Sequence, residues 1–67
     1  MRVFIHEFFC GGGLLGQNLE HAPIVEGGAM LRATVDSFSQ VPGVETFSLV
    51  DYRIADLFGS LPNVTVV

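Results

Sequence analysis

An apolar run near the N-terminus constrains the fold of this chain more than any other feature. Residues 3–9 are almost continuously apolar or aromatic, and three consecutive glycines follow shortly after them. The run is too short for a free-standing helical pattern and is typical of a strand buried on both faces of a parallel sheet. We therefore predict a first strand over 3–9. The next residues lack sustained periodicity, which predicts a loop over 10–22.

The remainder of the chain alternates between helical and strand patterns. Pro23 suits the first turn of a helix, and apolar residues then recur at spacings of three and four. The pattern predicts a helix over 24–40, a strand over 44–50, a short helix over 54–58 and a strand over 64–67. This alternation predicts an α/β fold with a small parallel sheet of three strands in the order 3-2-1.

One face of the predicted sheet is expected to lack a covering layer. Both crossovers run in the same direction, so both helices fall on one face. The first strand is apolar on both of its faces, with Phe4 and Phe8 on the side away from the helices. Parallel sheets are covered on both faces in nearly all proteins. We therefore expect residues 1–67 to form a single unit that is the incomplete half of a larger domain, completed by a second subunit or by further sequence.

Composition narrows the classes of partner and compartment. Only about 60% of the unfolded surface can be buried in a chain of this size, which favours association with another polypeptide. The chain has three arginines, seven acidic residues and a net charge of −4, which predicts no nucleic-acid partner. The apolar run is interrupted by His6 and Glu7, which predicts no membrane span. Cys10 is the single cysteine, as expected in a reducing compartment, so we predict a cytoplasmic location.

The glycine-rich segment raises the possibility of a dinucleotide site. Residues 11–16 read G-G-G-L-L-G and match the pattern G-x-G-x-x-G that follows a strand in dinucleotide-binding folds. In those folds the helix begins within the motif, whereas Pro23 delays it here, and Asp51 lies too far along the chain to be the ribose-binding acid. A dinucleotide-binding fragment is therefore the less favoured hypothesis. The alternatives are a close turn that needs glycine or a flexible loop that faces another ligand.

The reactive side chains near this loop do not form a recognisable catalytic or metal site. His6 and Glu7 are adjacent on the predicted strand and would point to opposite faces, although Glu7 suits a substrate ammonium or a helix N–H. No base is fixed beside Cys10, so we predict no catalytic residue. The spacing of cysteine and histidine does not match a tetrahedral metal site, so we predict no metal ligand. The two glycines after Glu26 indicate close packing or a ligand near the start of the helix.

Three segments together carry a family resemblance. They are F-I-H-E-F at residues 4–8 with glycines after it, I-V-E-G at residues 24–27 followed by Met30, and P-G-V at residues 42–44 before a strand. This combination resembles the N-terminus of ATP-grasp ligases. Within that superfamily it is most similar to the branch that contains tyramine–L-glutamate ligase and related carboxylate–amine ligases.

The resemblance implies a Rossmann-like pre-ATP-grasp domain, the substrate-side scaffold of an ATP-dependent carboxylate–amine ligase. ATP and Mg²⁺ are implied for the full-length family enzyme on later domains, so this fragment is expected to bind no cofactor and to be inactive by itself. Its partners would be missing C-terminal ATP-grasp domains or copies of itself. The alternative is a small non-enzymatic α/β protein that self-associates. The positions that could border an amino-acid substrate pocket are Glu7, Gly11, Gly12, Gly13, Glu26 and Gly27.

Overall fold

The computed structural model describes all 67 residues and contains three strands, one α-helix and one 3₁₀ helix. The elements are β1 (Arg2–Ile5), α1 (His21–Ser39), β2 (Glu45–Val50), the 3₁₀ helix (Tyr52–Phe58) and β3 (Val64–Val66). The sheet has the order β1-β2-β3 with both pairs parallel. This is the predicted order 3-2-1 counted from the other edge, so the predicted α/β fold is confirmed. Neither helix combines the length and apolar character needed for a membrane crossing.

Local sequence accounts for the limits of α1. The helix begins at His21, and Pro23 therefore lies in the first turn, where a missing N–H removes no helical hydrogen bond. The helix α1 therefore begins three residues before the predicted start at residue 24. The prediction placed Pro23 just before the helix, whereas it is the third residue of the helix. At the other end the Gln40 N–H donates to the Phe38 carbonyl, and Gly43 has a φ of +79° in the turn that leads to β2.

The first strand is shorter than predicted, covering residues 2–5 rather than 3–9. After Ile5 the chain leaves the sheet and coils into successive turns. The Gly11 N–H donates to the Glu7 carbonyl at 2.8 Å and the Gly13 N–H to the Phe8 carbonyl at 3.0 Å, so these carbonyls bond within the loop rather than to a strand. The loop consequently spans 6–20 rather than 10–22. Phe8, predicted to share a strand face with Phe4, lies in this loop instead.

Both helices pack on the same face of the sheet, as predicted. An alanine Cβ at Gly28 of α1 would lie 3.2 Å from Cζ of Phe58 in the 3₁₀ helix, so the two helices are in contact. The guanidinium of Arg32 lies 4.6 Å from the centre of the Phe58 ring. The core cluster consists of Ile5, Cys10, Ile24, Leu31, Val35, Val50, Ile54 and Phe58.

The opposite face of the sheet carries no covering element. We call it the open face and define it by Phe4, Phe47, Leu49 and Thr65. Phe4 is paired with Phe47 and Leu49 with Thr65, and paired residues point to the same side of a sheet. Phe4 is 60% exposed, and Phe47 and Leu49 are only partly buried. The structure therefore leaves bare the face on which a further layer was expected.

The side chains of β2 are distributed over its two faces in an unusual way. In a self-sufficient two-layer domain, the strand residues that face the helices are apolar and those that face solvent are polar. Thr46 and Ser48 are each 2% exposed on the face covered by the helices, whereas Phe47 and Leu49 alternate with them on the open face. The Thr46 hydroxyl lies 3.3 Å from that of Ser39, but the Ser48 hydroxyl has no hydrogen-bond partner. A buried polar group without a partner costs about 1–3 kcal/mol. The larger apolar side chains of β2 are thus directed toward the uncovered side.

Candidate functional site

A groove lies beyond the carboxyl end of β1, between the loop and the first half of α1. Ligands of open α/β sheets bind at this end of the strands. The groove has a volume of about 250 Å³, and an adjoining depression of about 160 Å³ shares Phe9 and Pro23 with it. The residues that line the larger groove are Glu7, Phe9, Pro23, Glu26, Gly27 and Met30.

The carboxylate of Glu7 is held in this groove by a hydrogen bond and by a close approach to α1. Its Oε1 accepts a hydrogen bond of 2.8 Å from the Cys10 N–H. A Cβ at position 27 would overlap Oε1, Cδ and Oε2 of Glu7, so the observed position of the carboxylate requires glycine there. Glycine at this position costs α1 about 1 kcal/mol of helix propensity relative to alanine, and it leaves the space that the Glu7 carboxylate occupies.

Cys10 beside this carboxylate is a packed thiol rather than a nucleophile. It is completely buried, and its Sγ lies 3.6 Å from the Ile24 carbonyl, to which it donates. Burial raises the pKa of Cys10 to about 12, and the hydrogen bond and negative charge of Glu7 act in the same direction. Reactive cysteines need a depressed pKa and solvent access, and this environment supplies neither.

We expect Cys10 to react with iodoacetamide at neutral pH at least about a hundredfold more slowly in the folded protein than in the unfolded chain, because labelling requires an opening of the core. Mass spectrometry after timed quenching, with and without denaturant, measures the ratio. Equal labelling rates in the two conditions would contradict the buried position of the thiol.

The three loop glycines that were predicted to border the site, Gly11, Gly12 and Gly13, allow the tight turns of the loop and do not line the groove. A Cβ at Gly11 would lie 2.7 Å from the Glu7 carbonyl oxygen, and a Cβ at Gly13 would lie 2.5 Å from the Phe8 carbonyl oxygen. Gly12 has a φ of +98°, which side chains rarely adopt. These positions let the chain fold back tightly on residues 6–8. Of the six predicted site positions, the structure therefore brings together Glu7, Glu26 and Gly27 only.

The loop geometry gives no support to the dinucleotide hypothesis. The N–H groups of Gly11, Gly13, Leu15 and Gln17 all donate to carbonyls within the loop, so they are not directed at a pyrophosphate. Asp51 follows β2, where a ribose-binding acid would lie, but it is completely buried. Its carboxylate is therefore not available to a ribose hydroxyl.

Asp51 instead forms a clasp with Arg53 that fixes the loop. Nη2 of Arg53 lies 2.6 Å from Oδ2 of Asp51, and Nε donates to Oδ1 at 3.0 Å. Chiefly through this side-chain hydrogen bonding, Arg53 lowers the pKa of Asp51. The same guanidinium donates to the carbonyls of Leu14 and Gln17, and the Asp51 N–H donates to the Cys10 carbonyl at 2.7 Å. Sequence reasoning missed this clasp, for which the only signal is an Asp-x-Arg spacing directly after a strand.

The side chains of this chain do not fit the phosphates or the metal ion of a nucleotide site. The chain has no lysine, and Arg53 is committed to the clasp. Arg32 donates to the Leu57 carbonyl at 2.6 Å. No group of three or more His, Cys, Asp or Glu side chains is close enough together to hold a metal ion.

The groove combines two carboxylates with apolar walls. Glu7 is held in place, Glu26 is exposed, and Phe9 and Met30, neither of which was predicted, present apolar surface beside them. Such a lining is complementary to a cation with an apolar body, such as the ammonium group of an amine or amino acid. Comparison of the chain with protein-family models, with curated proteins and with solved structures gives no match.

Proposed function

We propose that this chain is the N-terminal, substrate-side layer of an ATP-dependent carboxylate–amine ligase and that it is not catalytically competent alone. The observation that carries the proposal is the contact between Glu7 and Gly27 in the groove. Glu7 belongs to the F-I-H-E-F segment and Gly27 to the I-V-E-G segment, the two motifs that resemble ATP-grasp ligases. Segments 20 positions apart in the sequence therefore meet at one candidate binding site.

In this proposal the chain binds and orients an amine-bearing substrate. The carboxylates of Glu7 and Glu26 attract the ammonium group, and Phe9 and Met30 contact its apolar part. The position of Glu7 is fixed before the substrate arrives, which reduces the ordering that binding requires. The nucleotide would be bound by other domains, because the residues of this chain do not fit it.

The open face supports the same assignment. Its apolar side chains, Phe4, Phe47 and Leu49, suit an inner surface against another layer, as in a larger α/β domain. The proposed location is the cytoplasm, where a lone thiol such as that of Cys10 stays reduced.

A chimaeric ligase tests this proposal. The 67 residues replace the corresponding N-terminal segment of a tyramine–L-glutamate ligase, and we expect Mg²⁺-dependent ligation to be retained. Glu7→Gln keeps an oxygen for the Cys10 N–H but removes the charge. It should therefore raise the KM for the amine at least about tenfold, equivalent to about 1.4 kcal/mol of binding. Ser60→Ala on the exposed surface is the matched control and should leave the KM unchanged.

Two results would count against the proposal. One is a chimaera that folds but shows no ligation, and the other is an unchanged KM in its Glu7→Gln variant. Magnesium-dependent ligation by the purified 67-residue chain would contradict the claim that the chain is not competent alone.

The second candidate is a non-enzymatic protein in which two copies cover each other's open face, and the apolar character of that face favours it. Three strands spaced about 4.8 Å apart, with about five residues each, have a footprint of about 240 Å². A stable interface typically buries about 800 Å² on each partner. The open face alone is therefore too small for a stable dimer, so this candidate ranks below the ligase layer.

A further inference from the structure

We propose that Arg53 determines the length of the amine that the groove accepts, although Arg53 itself lines no part of the groove. The depression that adjoins the groove receives the apolar chain of a primary amine, and Arg53 holds the wall of that depression in place. Arg53 is therefore a positioning residue rather than a catalytic residue. The inference rests on the proposed function, because it takes the groove as the site of the ammonium group.

The adjoining depression continues the apolar surface of the groove beyond its carboxylates. It has a volume of about 160 Å³, and neither Glu7 nor Glu26 lines it. Phe9 and Pro23 belong to both cavities, and Leu14 adds apolar surface on the far side. Its remaining lining residues are Gln17, Asn18 and Glu20, all of them exposed. An amine with its ammonium group at Glu7 can therefore extend a chain of several methylene groups along Phe9 into this depression.

A single turn of the loop forms the wall of this depression, and Arg53 holds both of its ends. The Gln17 N–H donates to the Leu14 carbonyl at 2.9 Å. Nη2 of Arg53 donates to the same carbonyl at 2.8 Å, and Nη1 donates to the carbonyl of Gln17. Leu14 and Gln17 line the depression, whereas Arg53 lines neither cavity. The position of the wall therefore depends on a guanidinium that a bound amine does not touch.

The same clasp is connected to the carboxylate that attracts the ammonium group. Asp51 fixes the guanidinium of Arg53 from one side, and the Asp51 N–H donates to the Cys10 carbonyl at 2.7 Å. The Cys10 N–H in turn donates to Oε1 of Glu7 at 2.8 Å. The wall of the depression and the Glu7 carboxylate are thus both held from the end of β2. This common support fixes the position of one relative to the other.

The length preference is measured by chemical-shift titration of the isotope-labelled 67-residue chain with ethylamine and with hexylamine at neutral pH. Both probes carry the same ammonium group and differ only in the chain that enters the depression. Each buried methylene group strengthens binding about fourfold. We therefore expect hexylamine to bind at least about tenfold more tightly than ethylamine.

Arg53→Lys tests the positioning role. The change keeps the positive charge, but a lysine ammonium lacks the planar fork that reaches the Leu14 and Gln17 carbonyls and the Asp51 carboxylate together. We expect the ratio of the two dissociation constants to fall at least about threefold because the wall is no longer held. A loss of folded protein alone would weaken the apparent binding of both amines equally and would leave this ratio unchanged.

Two further variants complete the test. Arg32→Lys is the matched control, because Arg32 also donates to a main-chain carbonyl, that of Leu57, and neither residue lines the groove or the depression. It should leave the ratio unchanged. Asp51→Asn removes the charge that fixes Arg53 and leaves no buried charge behind. It should lower the ratio as Arg53→Lys does, and it keeps the proposal testable if Arg53→Lys does not fold.

Several results would overturn the positioning role of Arg53. A parent chain that binds neither amine, or that binds both equally, would do so. The same holds for a ratio that Arg53→Lys and Asp51→Asn leave unchanged, or that Arg32→Lys lowers as much. The ligase proposal fails by a different result. A chimaera that folds without ligation, beside a 67-residue chain that shows the length preference, would contradict the ligase activity and leave the role of Arg53 intact.

Discussion

Gly13→Ala is expected to lower the free energy of unfolding by about 2 kcal/mol, a typical effect of forcing extra volume into a packed site. The new Cβ would lie 2.5 Å from the Phe8 carbonyl oxygen and 2.7 Å from its ring. A backbone oxygen cannot move aside as the end of a flexible side chain can, so the turn itself must open. The hydrogen bond from the Gly13 N–H to that same carbonyl would be strained as well. Urea denaturation followed by circular dichroism measures the change.

Gly16→Ala is the matched control in the same loop. Gly16 has a φ of +80°, but no heavy atom lies within 4 Å of the position of its Cβ. Only backbone strain of about 1–2 kcal/mol opposes this change. We therefore expect Gly13→Ala to be the least stable of the three proteins, Gly16→Ala to be intermediate and the parent chain to be the most stable. A Gly13→Ala protein as stable as the parent would show that the loop does not need this close contact.

Arg53→Ala is expected to cause a large decrease in the urea midpoint at neutral pH. The change leaves the fully buried carboxylate of Asp51 without its ionic partner, and it removes the hydrogen bonds to the carbonyls of Leu14 and Gln17. Removing one partner of a buried pair is destabilising because the remaining charge is neither solvated nor compensated. Arg2→Ala removes an exposed arginine that makes no ion pair, and it controls for the change in net charge.

The pH dependence of the same clasp has a defined sign. Arg53 lowers the pKa of Asp51 in the folded state below its ordinary value of 3.8. The clasp therefore contributes stability above pH 3.8, and this contribution is lost as the pH falls through the lower folded-state pKa. We expect the difference in midpoint between the parent and Arg53→Ala to narrow as the pH falls, because protonation of Asp51 removes the buried charge that Arg53 compensates. A difference that stays constant or widens in acid would contradict the charged clasp.

The fold was predictable from patterns that act along short stretches of sequence. The apolar spacing of α1, the β-branched residues of β2 and the direction of parallel crossovers were sufficient for the strand order and the uncovered face. The length of β1 was not predictable in this way, because Phe8 and Phe9 extend the aromatic character of the segment beyond His6 and Glu7. The chain turns there because the Glu7 carboxylate accepts a hydrogen bond from the Cys10 N–H, and because the glycines that follow permit close backbone contacts.

The candidate site was predictable only in part. Glu7, Glu26 and Gly27 stand out by residue type, and the fold brings them together. By residue type alone, the loop glycines at 11, 12 and 13 were equally good candidates for the site. In the structure they allow the tight turns of the loop and do not line the groove. The Asp51–Arg53 clasp depends on Arg53 reaching Gln17, which is 36 positions away, and no local pattern specifies such a contact. Contacts of this kind arise from the tertiary structure rather than from any segment.

The absence of any antiparallel pair between the strands has a consequence for folding kinetics. Arg2 and its strand partner Glu45 are separated by nearly two-thirds of the chain. Because both strand pairs are parallel, no β-hairpin can form as an early local nucleus. Chains with such high contact order fold slowly for their size, because the entropy of closing a long segment opposes the first productive encounter. During synthesis, β1 therefore cannot pair with a strand of its own chain until β2 has left the ribosome.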